Sequence, residues 1–73
     1  MFYEYAKLLG RIKECCGSQS VFAKKMNLSE RTISLKLNSK KEWKQSEIKQ
    51  ACEILNINNS EIPVYFFKAK VQN

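Results

Sequence analysis

The chain has 73 residues, 44% of them hydrophobic, with two Gly and one Pro. That length allows one domain (1–73) around one small core, and the composition excludes a disordered or loop-rich chain. Thirteen Lys and Arg against seven acidic residues give a net charge of +6, a balance that suits a polyanionic partner.

The first helical pattern spans about 4–16. Tyr5, Leu8, Leu9, Ile12 and Cys16 recur at i, i+3, i+4, i+7 and i+11, a single apolar stripe, and Gly17 is a natural terminator. Ser18 can cap a second helix over about 19–26, whose buried stripe is Phe22, Ala23 and Met26. Asn27 follows where the chain must turn, and Asn tolerates a left-handed backbone well. Ser29 caps a third helix over about 30–37, with Glu30 in its first turn and Ile33 and Leu37 inward. Residues 38–42 form a polar loop that ends at Trp43, read as a core anchor over the fourth helix. That helix, about 45–55, carries Ile48, Ala51, Cys52 and Leu55 on one face and stops at Asn56, Asn58 and Asn59. A short helix or turn begins near Ser60 and contains Ile62. Tyr65, Phe66 and Phe67 form an aromatic cluster, which either folds back on Phe2, Tyr3 and Tyr5 or forms part of a dimer face. Residues 68–73 read as an extended tail.

These elements give an all-α, compact four-to-five-helix domain with a short aromatic C-terminal tail. Its second and third helices form a helix-turn-helix. Ala23 is small enough for the third helix to cross closely, Asn27 redirects the chain, Leu28 plugs the corner, and Ile33 and Leu37 dock the third helix. The charge concentrates here. Lys24, Lys25, Arg31, Lys36, Lys40, Lys41 and Lys44 are opposed between 24 and 44 only by Glu30 and Glu42, so this stretch holds +5 of the +6.

At about 100° per residue, the third helix turns Arg31, Ser34, Leu35 and Asn38 outward, with Thr32 and Lys36 on the flank. The guanidinium of Arg31 matches O6 and N7 of guanine; a phosphate contact or a plain surface charge is its other reading. Leu35 has three readings: a thymine-methyl contact, a protein interface, or partial packing into the core. Ser29, Thr32 and Gln19 lie near helix N-termini, where hydroxyl, amide and backbone N–H groups can hold phosphates. Lys36, Lys40, Lys41 and Lys44 are expected to neutralise phosphates. Glu30 serves the helix dipole or accepts from cytosine N4, the dipole being favoured.

Chemistry other than binding finds little support. The chain has no His and no Asp, no Gly-rich phosphate loop, and no nucleophile with a base in a recognisable pattern, so no enzyme activity is expected. Cys15, Cys16 and Cys52 make no CxxC and are odd in number. They read as small apolar core residues in a reducing compartment, with no zinc site, disulfide framework or other cofactor expected. No apolar run is long enough for a bilayer and no signal-peptide pattern is present, so a cytoplasmic location is expected.

Gln19–Asn38, QSVFAKKMNLSERTISLKLN, resembles the Cro/CI-type helix-turn-helix family at Gln19, Ala23, Leu28, Ser29, Thr32 and Ile33. Asn27 and Ser39 stand where that family commonly has Gly. Over nearly the whole chain, SERTISLKLNSKKEW, Glu47-Ile48 and Tyr65–Val71 resemble short phage regulators of the lysis–lysogeny switch. The resemblance implies two activities. The first is operator binding of the Cro kind, with two third helices of a homodimer about 34 Å apart on the host nucleoid. The second is modulation of repression, in which an antirepressor binds the phage CI repressor and blocks its DNA binding. A packaging protein would need only the charge and would leave the helix-turn-helix unexplained.

Overall fold

The computed structural model describes residues 3–69. Five helices follow in order: α1 (Ala6–Cys16), α2 (Gln19–Met26), α3 (Glu30–Leu37), α4 (Gln45–Leu55) and α5 (Ile62–Phe66), with a 3-10 turn, Asn59–Glu61, leading into the last. Among the described residues there is no strand. One isolated antiparallel bridge joins Tyr3 to Ala69.

The helix boundaries have local causes. α1 begins two residues later than its apolar spacing predicts, because the Glu4 N–H donates to the Lys68 carbonyl (2.8 Å) beside the bridge. It ends at Gly17, whose φ of +85° suits a residue without Cβ and whose N–H returns to the Lys13 carbonyl. Ser18 Oγ accepts from the Val21 N–H (3.2 Å), and Ser29 Oγ accepts from the Thr32 N–H (3.1 Å). Both caps satisfy N-terminal donors that a helix cannot bond internally. Asn27 adopts the left-handed conformation (φ 59°, ψ 39°) and turns α2 into α3. Asn56 does the same at the end of α4 (φ 56°, ψ 47°). There the Arg11 side chain reaches across from α1, donating to the Leu55 carbonyl at 2.9 Å and the Asn56 carbonyl at 3.2 Å.

The core draws on every helix: Leu8 and Ile12 from α1, Phe22, Ala23 and Met26 from α2, Ile33 and Leu37 from α3, Ala51, Cys52 and Leu55 from α4, and Tyr65 and Phe66 from α5. Ala23 is buried and Leu28 packs against this cluster from the corner. The cysteines divide. Cys52 is buried, which pushes its thiol pKa up, and Cys16 is half-buried. Cys15 is exposed, contrary to the expected core role, because it lies one residue off the inward stripe. Leu9 also leaves the stripe, at 36% exposure.

The aromatic cluster folds back. Tyr3 meets Phe67 edge-on with centroids 5.7 Å apart, and Phe66 meets Trp43 edge-on at 5.3 Å. Trp43 packs against the core as an anchor, with Tyr65 and Phe66 inside α5 rather than beyond it. Lys68 and Ala69 are therefore paired with the N-terminal segment and not free tail. Phe2 and residues 70–73 lie outside the described residues.

Candidate functional site

α3 is held by its inward residues, Ile33 and Leu37, and by its cap at Ser29. Its outward face then follows from helical geometry. Glu30, Arg31 and Asn38 are exposed, while Ser34 and Leu35 are half-exposed. Leu35 is not among the apolar residues packed on the core, which removes the core reading for it. Lys40, Lys41 and Lys44 are exposed on the loop that follows. The structure thus gathers seven sequence-predicted residues on α3's outer face and its continuing loop: Glu30, Arg31, Leu35, Asn38, Lys40, Lys41 and Lys44.

Several polar groups on this surface are already engaged. Asn38 Nδ2 donates to the Ser34 carbonyl at 2.8 Å and approaches Ser34 Oγ at 3.4 Å. Ser29 Oγ donates to Thr32 Oγ1 at 2.8 Å while accepting from the Thr32 N–H. Gln19 lies half-buried in the first turn of α2, on a different element. Arg31 and Glu30 make no side-chain hydrogen bond or ion pair among the described residues. Together with Leu35, they offer one cation, one anion and one apolar side chain to a partner.

Lys36 requires correction. It is not a surface phosphate neutraliser. Its side chain is 1% exposed, and its ammonium lies 2.7 Å from Glu47 Oε1 and 2.8 Å from the Glu42 carbonyl. The indole of Trp43 lies beneath the same ammonium, with its centroid 5.8 Å away. The cause is geometric. Positions 33, 36 and 37 share one face at i, i+3 and i+4, so Lys36 belongs to the inward stripe of α3. That spacing was the available signal, and a lysine in it calls for a buried acid. Glu47, at the third position of α4, meets the need and also accepts from the Lys44 N–H at 2.8 Å. Partial burial alone would raise the Glu47 pKa. The Lys36 hydrogen bond, the Lys44 N–H and the charges of both lysines outweigh burial and hold it below the usual carboxyl range.

With Lys36 withdrawn, the exposed charges between 24 and 44 are six cations and two glutamates. The stretch still presents +4 to solvent. The loop 38–44 is shaped by Ser39, which takes a left-handed backbone (φ 59°) and donates its hydroxyl to the Tyr3 carbonyl at 2.9 Å. Between this loop, Tyr3, Trp43 and Phe67 lies a cleft of about 490 Å³. Ser39 and Glu47 carry no local sequence signal of a site role, since both act through partners distant in the chain, Tyr3 and Lys36. Among the described residues, no group of His, Cys or Glu side chains is arranged to hold a metal. No helix there is long and apolar enough to cross a membrane.

No curated protein sequence matches the chain. The chain is similar to a solved structure described as the solution structure of the modulator of repression (MOR) of the temperate bacteriophage TP901-1 from Lactococcus lactis. The two share 56% sequence identity and a TM-score of 0.82, over 99% of this chain and 97% of that one. Residues 1–69 also match the family described as "Protein of unknown function (DUF739)". Matched along almost its whole length by that family, and alike throughout to a phage modulator of repression, the chain belongs to the DUF739 family.

Proposed function

We propose that this chain is a modulator of repression in a temperate phage, an antirepressor that binds the phage's CI-type repressor and hinders its DNA binding. The observation that carries the reading is the 56% identity with the TP901-1 modulator across 99% of the chain. It favours this reading over an operator-binding regulator of the Cro kind.

The chemistry of α3 supports it. A base-reading helix needs free donors and acceptors aimed at base edges. Here the Asn38 amide is bonded to Ser34, the Ser29 and Thr32 hydroxyls bond each other, and Lys36 is buried. Arg31, Glu30 and half-exposed Leu35 suit a protein surface, where an apolar contact flanked by ion pairs gives both affinity and register.

A second reading has its own observation. Six exposed cations between 24 and 44 favour contact with nucleic acid, either directly or within a complex. Kinship with the Cro/CI-type family rests on the residues of Gln19–Asn38 and on the α2–turn–α3 arrangement. The chain is expected to act in the bacterial cytoplasm as a binding protein with no enzymatic activity, metal or cofactor.

The test measures two affinities side by side. Purified chain is titrated against the DNA-binding domain of the repressor encoded beside it and, separately, against operator and random duplexes. Tight 1:1 binding to the repressor domain, with loss of that domain's operator complex, is expected. Specific operator binding without repressor binding would reverse the order of the two readings.

A further inference from the structure

The pair Lys36–Glu47 sits at the join of α3, the 38–44 loop and α4. Its bonds run to three separate pieces of backbone or side chain. The Lys36 ammonium bonds the Glu42 carbonyl inside the loop and the Glu47 carboxylate on α4. The same Glu47 oxygen accepts the Lys44 N–H where the loop becomes helix. The loop they hold carries Lys40 and Lys41 on its outside, and both of their N–H groups return to the Leu35 carbonyl, at 2.9 and 3.2 Å. One face of α3 and the basic loop are therefore fixed to each other through Leu35 and fixed to α4 through Lys36.

A buried ion pair is a poor way to gain stability, because an apolar pair of similar volume usually serves as well or better. Its bonds are directional where apolar packing is not. We propose that Lys36 and Glu47 are positioning residues for partner recognition: they set the basic loop 38–44 against the α3 face, so that Arg31, Leu35, Lys40 and Lys41 form one surface before the partner arrives. This rests on the reading of the chain as a repressor-binding protein. Neither residue needs to touch the partner.

The test uses the full chain with Lys36→Met, which keeps the stem and removes the ammonium, and Glu47→Gln, which keeps an oxygen for the Lys44 N–H and removes the charge. Ile57→Val trims the core away from the loop and serves as a stability control. Three quantities are read: thermal midpoint, affinity for the repressor's DNA-binding domain, and emission of Trp43, the chain's single tryptophan. Trp43 packs beside the ammonium and reports loop position without any partner.

Lys36→Met and Glu47→Gln, folded at the assay temperature, are expected to lose about tenfold or more in affinity. A red-shifted Trp43 emission should accompany the loss. Ile57→Val is expected to lower the midpoint while leaving affinity and emission unchanged. Full affinity and unshifted emission in the folded variants would overturn the positioning role. An affinity loss that merely tracks the thermal midpoint, matched by Ile57→Val, would overturn it too. Should Lys36→Met not fold, Glu47→Gln carries the comparison. If the wild-type chain binds no repressor, the proposed function fails, and the emission shift still decides whether the pair positions the loop.

Discussion

A lysine ammonium at 1% exposure has lost nearly all its water, and the protein must replace it. Lys36 has three N–H donors; two are met by Glu47 and the Glu42 carbonyl, and the Trp43 face lies where the third can point. The Glu47 pKa is lowered in the folded chain, so its ion pair stabilises the fold above the unfolded carboxyl value and that contribution fades as pH falls through the lower, folded one. The wild-type chain should therefore be more stable than Glu47→Gln near neutrality by about 2 kcal/mol, and the gap should narrow as pH falls below the ordinary carboxyl range towards the lowered, folded value. Urea melts of both proteins at pH 7 and at steps down to about pH 2.5 check this; a gap of constant size at every pH would mean the carboxylate charge contributes nothing. On the outer face of α3, Arg31 is exposed and Leu35 half-exposed. Arg31→Glu should shift stability by no more than about 0.5 kcal/mol. Arg31→Glu and Leu35→Asp should each weaken repressor binding by about 2 kcal/mol or more, read by calorimetry. The contrast shows what was legible at this scale. Arg31 and Leu35 were placed outward by simple rotation from Ile33. Rotation puts Lys36 on the flank and its charge suggests phosphate; its burial is not legible there, because its partner Glu47 lies eleven positions away on another helix.

Helix boundaries were more legible, because caps and turns act within three or four residues. Ser18, Ser29 and Asn27 occupy the places their chemistry predicts. The start of α1 and the fate of the aromatic segment were less so, since both depend on the contact of Tyr3 and Glu4 with Lys68 and Ala69 at the far end of the chain. Asn27 is the element-scale test. Its left-handed backbone costs little for Asn and nothing for Gly, but roughly 1–2 kcal/mol for a residue with a larger Cβ substituent. Asn27→Gly should leave the urea midpoint nearly unchanged or slightly raised, whereas Asn27→Val should lower stability by about that amount. Because Asn27 is exposed and lies in the turn, not on α3 itself, neither variant should alter repressor affinity while folded. An equal loss in both variants would show that the Asn side chain, and not its backbone conformation, holds the turn.

A domain of this size has about 4–11 kcal/mol of stability to lose, so its long-range contacts matter as much as its motif. Under the proposed function, a molecule of net charge +6 would meet a repressor's DNA-reading surface, which is itself basic where it grips phosphate. Net repulsion at long range must then be overcome by short contacts, and salt separates the two. If Arg31, Lys40, Lys41 and Lys44 neutralised four phosphates, log affinity for DNA would fall against log salt with a slope of about 3.6, since each phosphate contact contributes about 0.9. A complex with a basic protein has the opposite long-range term: screening removes repulsion, while the buried contacts of Leu35 and its flanking ion pairs change little. Affinity for the repressor domain should therefore stay flat or rise between about 50 and 300 mM salt, while any binding to random duplex DNA collapses over the same range. Anisotropy titrations at four salt concentrations give both slopes from one preparation. A steep negative slope toward the repressor domain would mean that Lys40 and Lys41, within the surface they share with Leu35, grip an acidic patch on it, and that charge rather than the Leu35 contact carries most of the affinity.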